Sequence, residues 1–429
     1  MPFNRADDIW LASGLRTPFS KVDGPLASYD AISLSVPLVQ QMLTRLGGAL
    51  PDFFVWGTVV PNLTWSNIAR EVLMDAGAPP TIPAFSTIMA CSTSMIGTIE
   101  AAGMLNGANR NLALVGGVEC LSRIQLGLGQ TLSDWIRKFQ QARSLGQKIS
   151  HVGDLKLADI HLHIPGVTNR TTGKSMGEHT EITAREWHIS REAQDRHALF
   201  SHQGAVAAWD RGFFDDLVMP VGEVKRDTIP RKDTSLERLA KLPPSFDRTS
   251  GHGSLTAGNS SPLTDGAASL WVATEQGLGR LPAGTPRARL VDWEIASVDL
   301  HHEGLLMAPP YAIPRLLARH GLRYEDIHLW EIHEAFAAQV LAHIEALESP
   351  AFLRDKAGVD PEAFGAFPRD RLNPTGGSLA IGHPFGATGA RILSQAVKEL
   401  SQRPAGQRAI VSICADGGQG SVVLLESAG

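Results

Sequence analysis

The stretch Ile88-Met-Ala-Cys91-Ser-Thr-Ser-Met-Ile-Gly-Thr-Ile-Glu-Ala-Ala-Gly-Met-Leu105 changes its hydrophobic period within a few residues. It begins as a short apolar run that ends at the cysteine and a turn of small residues. From Thr93 onward the apolar residues recur with helical spacing, so that Met95, Ile99 and Ala102 share one face. This pattern predicts a strand, a tight turn that carries a thiol, and a helix.

The same alternation recurs along the whole chain. Short apolar runs rich in β-branched residues alternate with longer periodic stretches, which is typical of an α/β protein with largely buried sheets. The predicted strands begin near Asp8, Phe53, Leu112, Ala268, Leu290 and Ala409, and the predicted helices span 93–106, 191–211 and 333–346. A second strand that ends in a cysteine and a small-residue turn, Ile413-Cys414-Ala-Asp-Gly-Gly, hints at an internal duplication.

The middle of the chain, from 121 to 247, is rich in polar and charged residues and has few strand-like runs. We predict two helices there, near 132–147 and 182–211, in an inserted region that covers a site. The basic, amphipathic part of the first helix is a solvated face or a docking face for a partner or a membrane surface.

Composition narrows the functional class. The 429 residues carry a formal net charge of −5, with 43% hydrophobic and 19% charged residues, which excludes a disordered chain and disfavours a nucleic-acid binder. The three cysteines, Cys91, Cys120 and Cys414, cannot form a disulfide framework. With an acidic N-terminus and no long apolar run, we expect a soluble protein of the cytoplasm or an organelle matrix.

Cys91 is the first candidate for chemistry. At a helix N-terminus the unpaired N–H groups favour a thiolate, and the alternative is a small residue buried in a strand-to-helix turn. Because a lowered pKa adds little nucleophilic rate by itself, a catalytic Cys91 also needs a base and an oxyanion site.

Two histidines and a second cysteine are candidate partners. His383 lies in a glycine-dense stretch, 373–391, that lacks the lysine of a phosphate-binding loop. His333 precedes Glu334, which we expect to orient it, and Cys414 precedes a turn rich in N–H groups. The sequence contains no paired ligands at zinc-site spacing, so we predict no metal.

Eight blocks in order along the chain resemble the thiolases, the acyl-CoA:acetyl-CoA C-acyltransferases. They begin at Met89, Gly116, Ser175, Ser190, Leu255, His333, Gly376 and Cys414. The His333-Glu-Ala-Phe block is most similar to the β-subunits of fatty-acid-oxidation trifunctional complexes, where most thiolases have Asn-Glu-Ala-Phe.

The resemblance implies the thiolase fold: two similar βαβαβαββ halves in five α-β-α-β-α layers, with an inserted helical and loop region. The N-terminal half would comprise residues 1–120, completed by about 248–280. Residues 121–247 would form the insert, and 281–429 the C-terminal half.

The resemblance also implies roles. Cys91 would be the acylated nucleophile, His383 its base, Cys414 the acid and base at the α-carbon, and His333 a ligand of the first oxyanion. Backbone N–H groups of Cys91 and Asp416 would form the second oxyanion site, although a carboxylate there opposes an anion unless it points away, and a φ that only glycine tolerates would also be a problem.

Substrate binding follows from the same comparison. The pantetheine channel would be lined by Met176, Ser261 and Phe336, with Met307 at the acyl end. The sequence does not show which of Arg137, Lys138, Arg143, Lys225 and Arg226 meets the phosphates of coenzyme A.

The implied activity is 3-ketoacyl-CoA thiolysis in fatty-acid β-oxidation, with CoA as co-substrate and no permanent cofactor. Expected partners are a second copy in a homodimer or dimer of dimers and a hydratase/dehydrogenase α-subunit, with at most peripheral membrane contact. The alternatives are a biosynthetic acetoacetyl-CoA thiolase, a decarboxylating condensing enzyme, and a non-catalytic acyl-CoA-binding subunit.

Overall fold

A computed structural model describes residues 8–105, 109–163 and 165–428. The N-terminal segment before Asp8 and the end of the predicted helix at Asn106 lie outside these ranges. The six predicted strands are confirmed, because each coincides with a strand of one large sheet.

The strands carry about a third of the buried apolar side chains of the described residues. Their bounds are β1 (Ile9–Arg16), β2 (Ser20–Lys21), β3 (Phe53–Gly57), β4 (Ala84–Phe85), β5 (Leu112–Glu119), β6 (Gly127–Leu128), β7 (Leu162–His163), β8 (Thr264–Thr274), β9 (Arg287–Ser297), β10 (Leu329–Ile332), β11 (Arg408–Ala415) and β12 (Gln419–Ser427). The strand predicted at 88–91 is wrong, since β4 ends at Phe85 and Ile88 is 64% exposed in an irregular segment.

The sheet repeats one topology. Its first part has the order β4-β3-β5-β8-β1 and its second part β10-β11-β12-β9. In each part the strand that comes last in the sequence, β8 or β12, is antiparallel to both of its neighbours. One neighbour is the strand that comes first in the sequence, β1 or β9, and the other belongs to a parallel pair, β3–β5 or β10–β11. Antiparallel pairing of β1 with β9, which sets Ile9 opposite Leu290, joins the two parts. The internal duplication expected from the sequence is therefore present in the strand order.

The helices cover the sheet and line its centre. Their bounds are α1 (Ala31–Arg45), α2 (Ile68–Asp75), α3 (Thr93–Met104), α4 (Gln130–Gln141), α5 (Leu145–Val152), α6 (Met176–Glu186), α7 (Arg191–Asp210), α8 (Leu236–Ala240), α9 (Glu275–Leu278), α10 (Pro309–Arg319), α11 (Ala337–Glu348), α12 (Pro350–Phe352), α13 (Ser378–Ile381) and α14 (Thr388–Ser401).

Three apolar cores separate these elements into layers. One core packs α1 and α2 against the first part of the sheet, and another packs α10 and α11 against the second part. Between them, α3 and α14 pack on each other and on strands of both parts. This is the five-layer arrangement predicted above, and it places the N-terminus of α3 where the two halves meet.

The inserted region has two structural characters. Its first part folds as α4, α5 and a small hairpin of β6 and β7, with exposed apolar side chains on α5. Its second part is well packed, because α7 contributes Ala205, Ala208 and Trp209 to the central core. Both predicted helices are interrupted, at 142–144 and at 187–190, where His188 has a positive φ of 53°.

Within the described ranges, no helix combines the length and apolar character that crossing a bilayer requires.

Candidate active site

Cys91 lies in a single 3₁₀ turn, Ala90–Ser92, directly before α3. The preceding residue, Ala90, adopts a positive φ of 43°, a conformation that costs a non-glycine residue free energy and is often found at functional sites. Hydroxyl contact between Ser92 and Ser421 ties this turn to β12. The thiol is thus held at the junction of the two halves.

The two histidines follow elements of the C-terminal half. His333 comes directly after β10, and its N–H donates to the carbonyl of Ser412 on β11. His383 follows Gly382, whose φ of +110° requires glycine, and its N–H donates to Thr264 Oγ1. Both imidazoles are buried.

These three side chains form one cluster. Cys91 Sγ and one ring nitrogen of each histidine lie within 4.8 Å of one another, and the two imidazole centroids are 4.2 Å apart. Among the described residues, neither His333 Nε2 nor His383 Nε2 has a hydrogen-bond partner. Unsatisfied buried nitrogens of this kind indicate a place for a ligand.

The proton of His383 resides on Nδ1. Thr388 Oγ1 lies 2.7 Å from His383 Nδ1 and donates its single hydrogen to the carbonyl of Pro384 at 3.0 Å. The hydroxyl oxygen must therefore accept from the imidazole. His383 Nε2 consequently presents a lone pair, which can take a proton from a thiol.

His333 has the opposite tautomer. Arg391 Nη2 donates to Ser378 Oγ at 2.8 Å, and among the described residues the only acceptor for the serine hydrogen is His333 Nδ1, at 3.0 Å. With Nδ1 accepting, the neutral ring carries its proton on Nε2. His333 can therefore donate a hydrogen bond to an oxygen in the cluster.

The expectation that Glu334 orients His333 is wrong. Glu334 accepts hydrogen bonds from His197, Ser201, Asn373 and the backbone of Leu379. Its carboxylate instead anchors the 373–379 loop, and Ser378 on that loop contacts the imidazole. Position next in sequence did not predict contact, because neighbouring side chains after a strand point in different directions.

Both imidazoles are neutral near pH 7. Burial, with the charge of Arg391, lowers the pKa of His383 to about 3. Burial also lowers the pKa of His333 well below its usual range, helped by His383 and Arg391. A neutral base and a neutral donor can thus face the same sulfur.

The predicted thiolate at Cys91 is not the resting state. Its own N–H and that of Asp416 both hydrogen-bond the sulfur and lower the pKa, but burial and the charges of Asp416 and Glu119 outweigh them. The pKa rises to about 12. Deprotonation of Cys91 therefore has to accompany its attack on a substrate.

Cys414 shares the site with Cys91. It is the penultimate residue of β11 and lies opposite Gly420 on β12. Burial, together with the negative charge that Cys91 would carry, raises the pKa of the Cys414 thiol well above its usual range. The structure thus brings all four predicted catalytic side chains to one place.

The carboxylate of Asp416 is held by two hydrogen bonds. Its Oδ1 accepts from Asn169 Nδ2 and from the N–H of Gly417, each at 2.7 Å. Asp416 is not among the described non-glycine residues with positive φ, so its backbone is unstrained. The concern about a φ that only glycine tolerates is therefore removed. The concern about charge remains, because the Asp416 carboxylate still raises the pKa of Cys91.

A cavity of about 380 Å³ adjoins the segment that carries His383. Ser261 and Leu263 line it, and Leu263 pairs with His383 in a parallel bridge. Phe336 packs edge-on against Phe246 of the cavity wall, with ring centroids 5.7 Å apart. The described lining contains none of the four predicted catalytic side chains, so the cavity is linked to the cluster through the Leu263–His383 bridge.

The two predicted methionines lie in different cores. Met176, at the start of α6, packs in the apolar cluster that contains Phe336 and Cys414. Met307 is 1% exposed and packs beneath α10 in the outer core. Leu305 and Leu306, not singled out from the sequence, share the cluster of Cys414.

The five basic residues considered for the CoA phosphates do not line this cavity. Its cationic side chains among the described residues are Lys21 and Arg231. Arg226 instead lies over the ring of Trp209, 5.1 Å from its centroid. No motif marked Lys21 or Arg231, because the two residues are more than 200 positions apart and only the fold brings them together.

Cys91, His333 and His383 also form a set of donor atoms that zinc can use. The sequence argument against a metal considered spacing along the chain, which does not constrain residues that meet in three dimensions. Zinc binding at His333 Nε2 would require that nitrogen to give up its proton, whereas His383 Nε2 already has a lone pair.

Sequence analysis missed the residues that set the two tautomers. Ser378, Thr388 and Arg391 all lie in or next to α13 and α14 and within the quoted glycine-rich stretch. The sequence shows these residue types, but it does not show which histidine each of them contacts.

Comparison with known proteins identifies the architecture. Residues 9–276 match the family model "Thiolase, N-terminal domain" and residues 284–427 match "Thiolase, C-terminal domain". The chain belongs to the thiolase family. It is 37% identical to proteins named 3-ketoacyl-CoA thiolase from Yersinia enterocolitica and Yersinia pestis, over 98% of this chain and 97% of each relative.

Solved structures agree with this assignment of the thiolase chain. The Acat5 thiolase of Ascaris suum, in complex with coenzyme A, has a TM-score of 0.78 at 26% identity and covers 98% of this chain and 99% of its own. The acetyl-CoA acetyltransferase of Bacillus anthracis has the same TM-score at 29% identity, covering 98% of both chains.

Proposed function

We propose that this thiolase cleaves 3-ketoacyl-CoA with CoA, giving acetyl-CoA and a shortened acyl-CoA by way of an acyl group on Cys91. The observation that carries the proposal is the pair of neutral histidines beside Cys91, one with a free lone pair and one with a free N–H. The relatives named 3-ketoacyl-CoA thiolase give the substrate class.

In the first half-reaction Cys91 Sγ attacks the 3-keto carbon while His383 Nε2 takes the thiol proton. Because the thiol pKa is raised and that of His383 is lowered, the ion pair forms only as the new C–S bond does. A thioester at Cys91 has nearly the energy of the CoA thioester, so the step stays reversible.

Breaking the C2–C3 bond releases the enolate of acetyl-CoA. His333 Nε2–H donates to the enolate oxygen, and the thiol of Cys414 gives its proton to C2. The raised pKa of Cys414 suits this step, since a weak acid protonates a strongly basic carbon and recovers the proton in the next half-reaction.

In the second half-reaction CoA enters and its thiol loses a proton to the Cys414 thiolate. The sulfur of CoA then attacks the acyl group, and the N–H groups of Cys91 and Asp416 hold the tetrahedral oxyanion. Collapse of this intermediate breaks the C–S bond to Cys91, and the departing thiolate regains the proton that His383 holds. Those two donors already point at Cys91 Sγ, and each such donor is worth about 10²–10³ in rate.

Coenzyme A is a co-substrate in this proposal, and no permanent cofactor is required. We place the pantetheine arm in the 380 Å³ cavity, along Ser261 and Phe246, with its phosphates at Arg231 and Lys21. The small residues Ala257 and Gly258 on the same wall leave width for a thin chain.

The proposal is tested by assaying thiolysis across 3-ketoacyl chain lengths, and the synthetic direction with acetyl-CoA, which separates degradative from biosynthetic use. Cys91→Ser should abolish both activities and Cys120→Ser, a buried thiol outside the cluster, should retain them. Acyl-CoA binding without turnover at any chain length would instead support a non-catalytic subunit.

An intracellular, reducing compartment, the cytoplasm or an organelle matrix, is part of the proposal because the free thiols of Cys91 and Cys414 must stay reduced. A homodimer or dimer of dimers is also proposed, by analogy of fold.

For a hydratase/dehydrogenase α-subunit, the docking surface would be the apolar face of α5, where Leu145, Ile149 and Val152 are 75%, 64% and 59% exposed. Leu145→Glu/Ile149→Glu should abolish co-purification with that subunit.

A further inference from the structure

We propose that Asn169 is a positioning residue that holds the side chain of Asp416 so that the backbone N–H of residue 416 faces Cys91. This inference deepens the proposed function and rests on it. It concerns a residue of the inserted region that no sequence motif marked, and a contact 247 positions apart in the chain.

The orientation of the Asn169 amide is fixed by its own loop. Asn169 Oδ1 accepts from the N–H groups of Thr171 and Thr172 at 3.0 and 3.1 Å. An oxygen must occupy that side, so the NH₂ group faces Asp416. It donates to Asp416 Oδ1 at 2.7 Å, and Asn169 is 7% exposed.

The carboxylate of Asp416 is held from two sides. Besides Asn169, the N–H of Gly417 donates to the same oxygen. Residues 416–418 form the turn between β11 and β12, and a side chain at Gly418 would meet the carbonyl of Val298 at 2.6 Å. The turn is therefore closely packed against Val298 at Gly418, and at residue 416 it is held by the hydrogen bonds of the aspartate side chain.

The consequence for chemistry is electrostatic. The Asp416 carboxylate already disfavours negative charge at Cys91 from its present position. Freed from Asn169, it can turn toward the sulfur, where it would oppose the oxyanion and compete for the N–H groups that stabilise it. A glycine at this position would carry no carboxylate to restrain. Asn169 thus allows an acidic residue to supply an oxyanion donor.

The test is a double-mutant cycle in the full chain. Asn169→Ala should lower kcat about tenfold or more with KM changed less than about twofold, because a donor is lost in the transition state. In an Asp416→Gly background the same substitution should change kcat less than about twofold. Thr171→Ala, which alters the same loop without touching Asp416, is the matched control and should leave kcat unchanged. Melting temperatures identify any variant that fails to fold.

A second readout does not require turnover. Iodoacetamide should alkylate Cys91 about threefold more slowly at pH 8 in Asn169→Ala, because the freed carboxylate disfavours the thiolate. Asp416→Asn, which keeps the shape without the charge, should remove this difference. Equal losses from Asn169→Ala in the wild-type and Asp416→Gly backgrounds, in both assays, would overturn the proposal. If wild-type protein lacks thiolysis but shows the alkylation effect, the proposed function fails and the positioning role stands.

Discussion

His333 and His383 lie with their rings 4.2 Å apart, yet their Nδ1 atoms meet hydroxyls in opposite states. Thr388 accepts the proton of His383, whereas Ser378 donates a proton to His333. The direction of each hydrogen bond is set by the other partner of the hydroxyl. Thr388 donates to the Pro384 carbonyl, and Ser378 accepts from the Arg391 guanidinium. Two chemically identical side chains thereby present different atoms to the cluster, a lone pair on His383 Nε2 and an N–H on His333 Nε2.

Removing the Ser378 hydroxyl should weaken catalysis through His333. In Ser378→Ala the imidazole can place its proton on Nδ1, and the oxyanion donor is lost in part of the population. We expect kcat to fall about tenfold or more with little change in KM. Ser378→Thr, which keeps the hydroxyl, should retain most of the wild-type kcat. An equal loss in both variants would contradict tautomer control, and the melting temperature reports any effect on buried Arg391.

Cys91 should alkylate with an unusual pH dependence. Its pKa is raised to about 12 by burial and by the Asp416 charge, so the iodoacetamide rate should still rise about tenfold per pH unit between roughly pH 8 and 10. A thiolate stabilised by a helix N-terminus would instead give a plateau. Bound acyl-CoA should protect Cys91, and mass spectrometry should show it labelled before Cys120, which is buried. A plateau below about pH 9 would contradict the raised pKa.

Arg231 should determine affinity for CoA. Because Arg231 and Lys21 are the cations of the 380 Å³ cavity, Arg231→Ala should raise KM for CoA about tenfold while kcat changes less than about twofold. Arg143→Ala, on the exposed insert, is the control and should leave KM unchanged. A larger increase in KM for CoA in Arg143→Ala than in Arg231→Ala would instead indicate that the phosphates bind near α4 and α5.

His343 should make the fold sensitive to acid. It is fully buried between Gln339 and the carbonyl of Leu306, and burial lowers its pKa to about 4. Below about pH 6.5 the unfolded chain binds a proton that the folded chain does not, so stability falls as pH falls toward 4. When the pH is lowered from about 6.5 to 5, the unfolding free energy of the parent should fall by about 2 kcal/mol more than that of His343→Gln. His302→Gln, with an exposed imidazole, should match the parent.

The limits of sequence-based prediction are visible at Cys91. Its helix N-terminus was foreseen, but the raised pKa follows from the depth of the site and from carboxylates at 119 and 416. Burial and long-range charge depend on residues that hydrophobic periodicity does not connect. The same holds for Glu334, whose neighbour in sequence is not its partner in space.

The amino-acid sequence by itself indicated the alternation of strands and helices, the duplicated α/β class and four candidate reactive side chains, because periodicity, residue type and motif are local properties. Only the tertiary structure decided which histidine holds a proton on which nitrogen, how the Asp416 side chain is held, and which cations face the cavity. Each of these depends on contacts between segments far apart in the chain, and hydrogen bonds and desolvation act through space rather than along it.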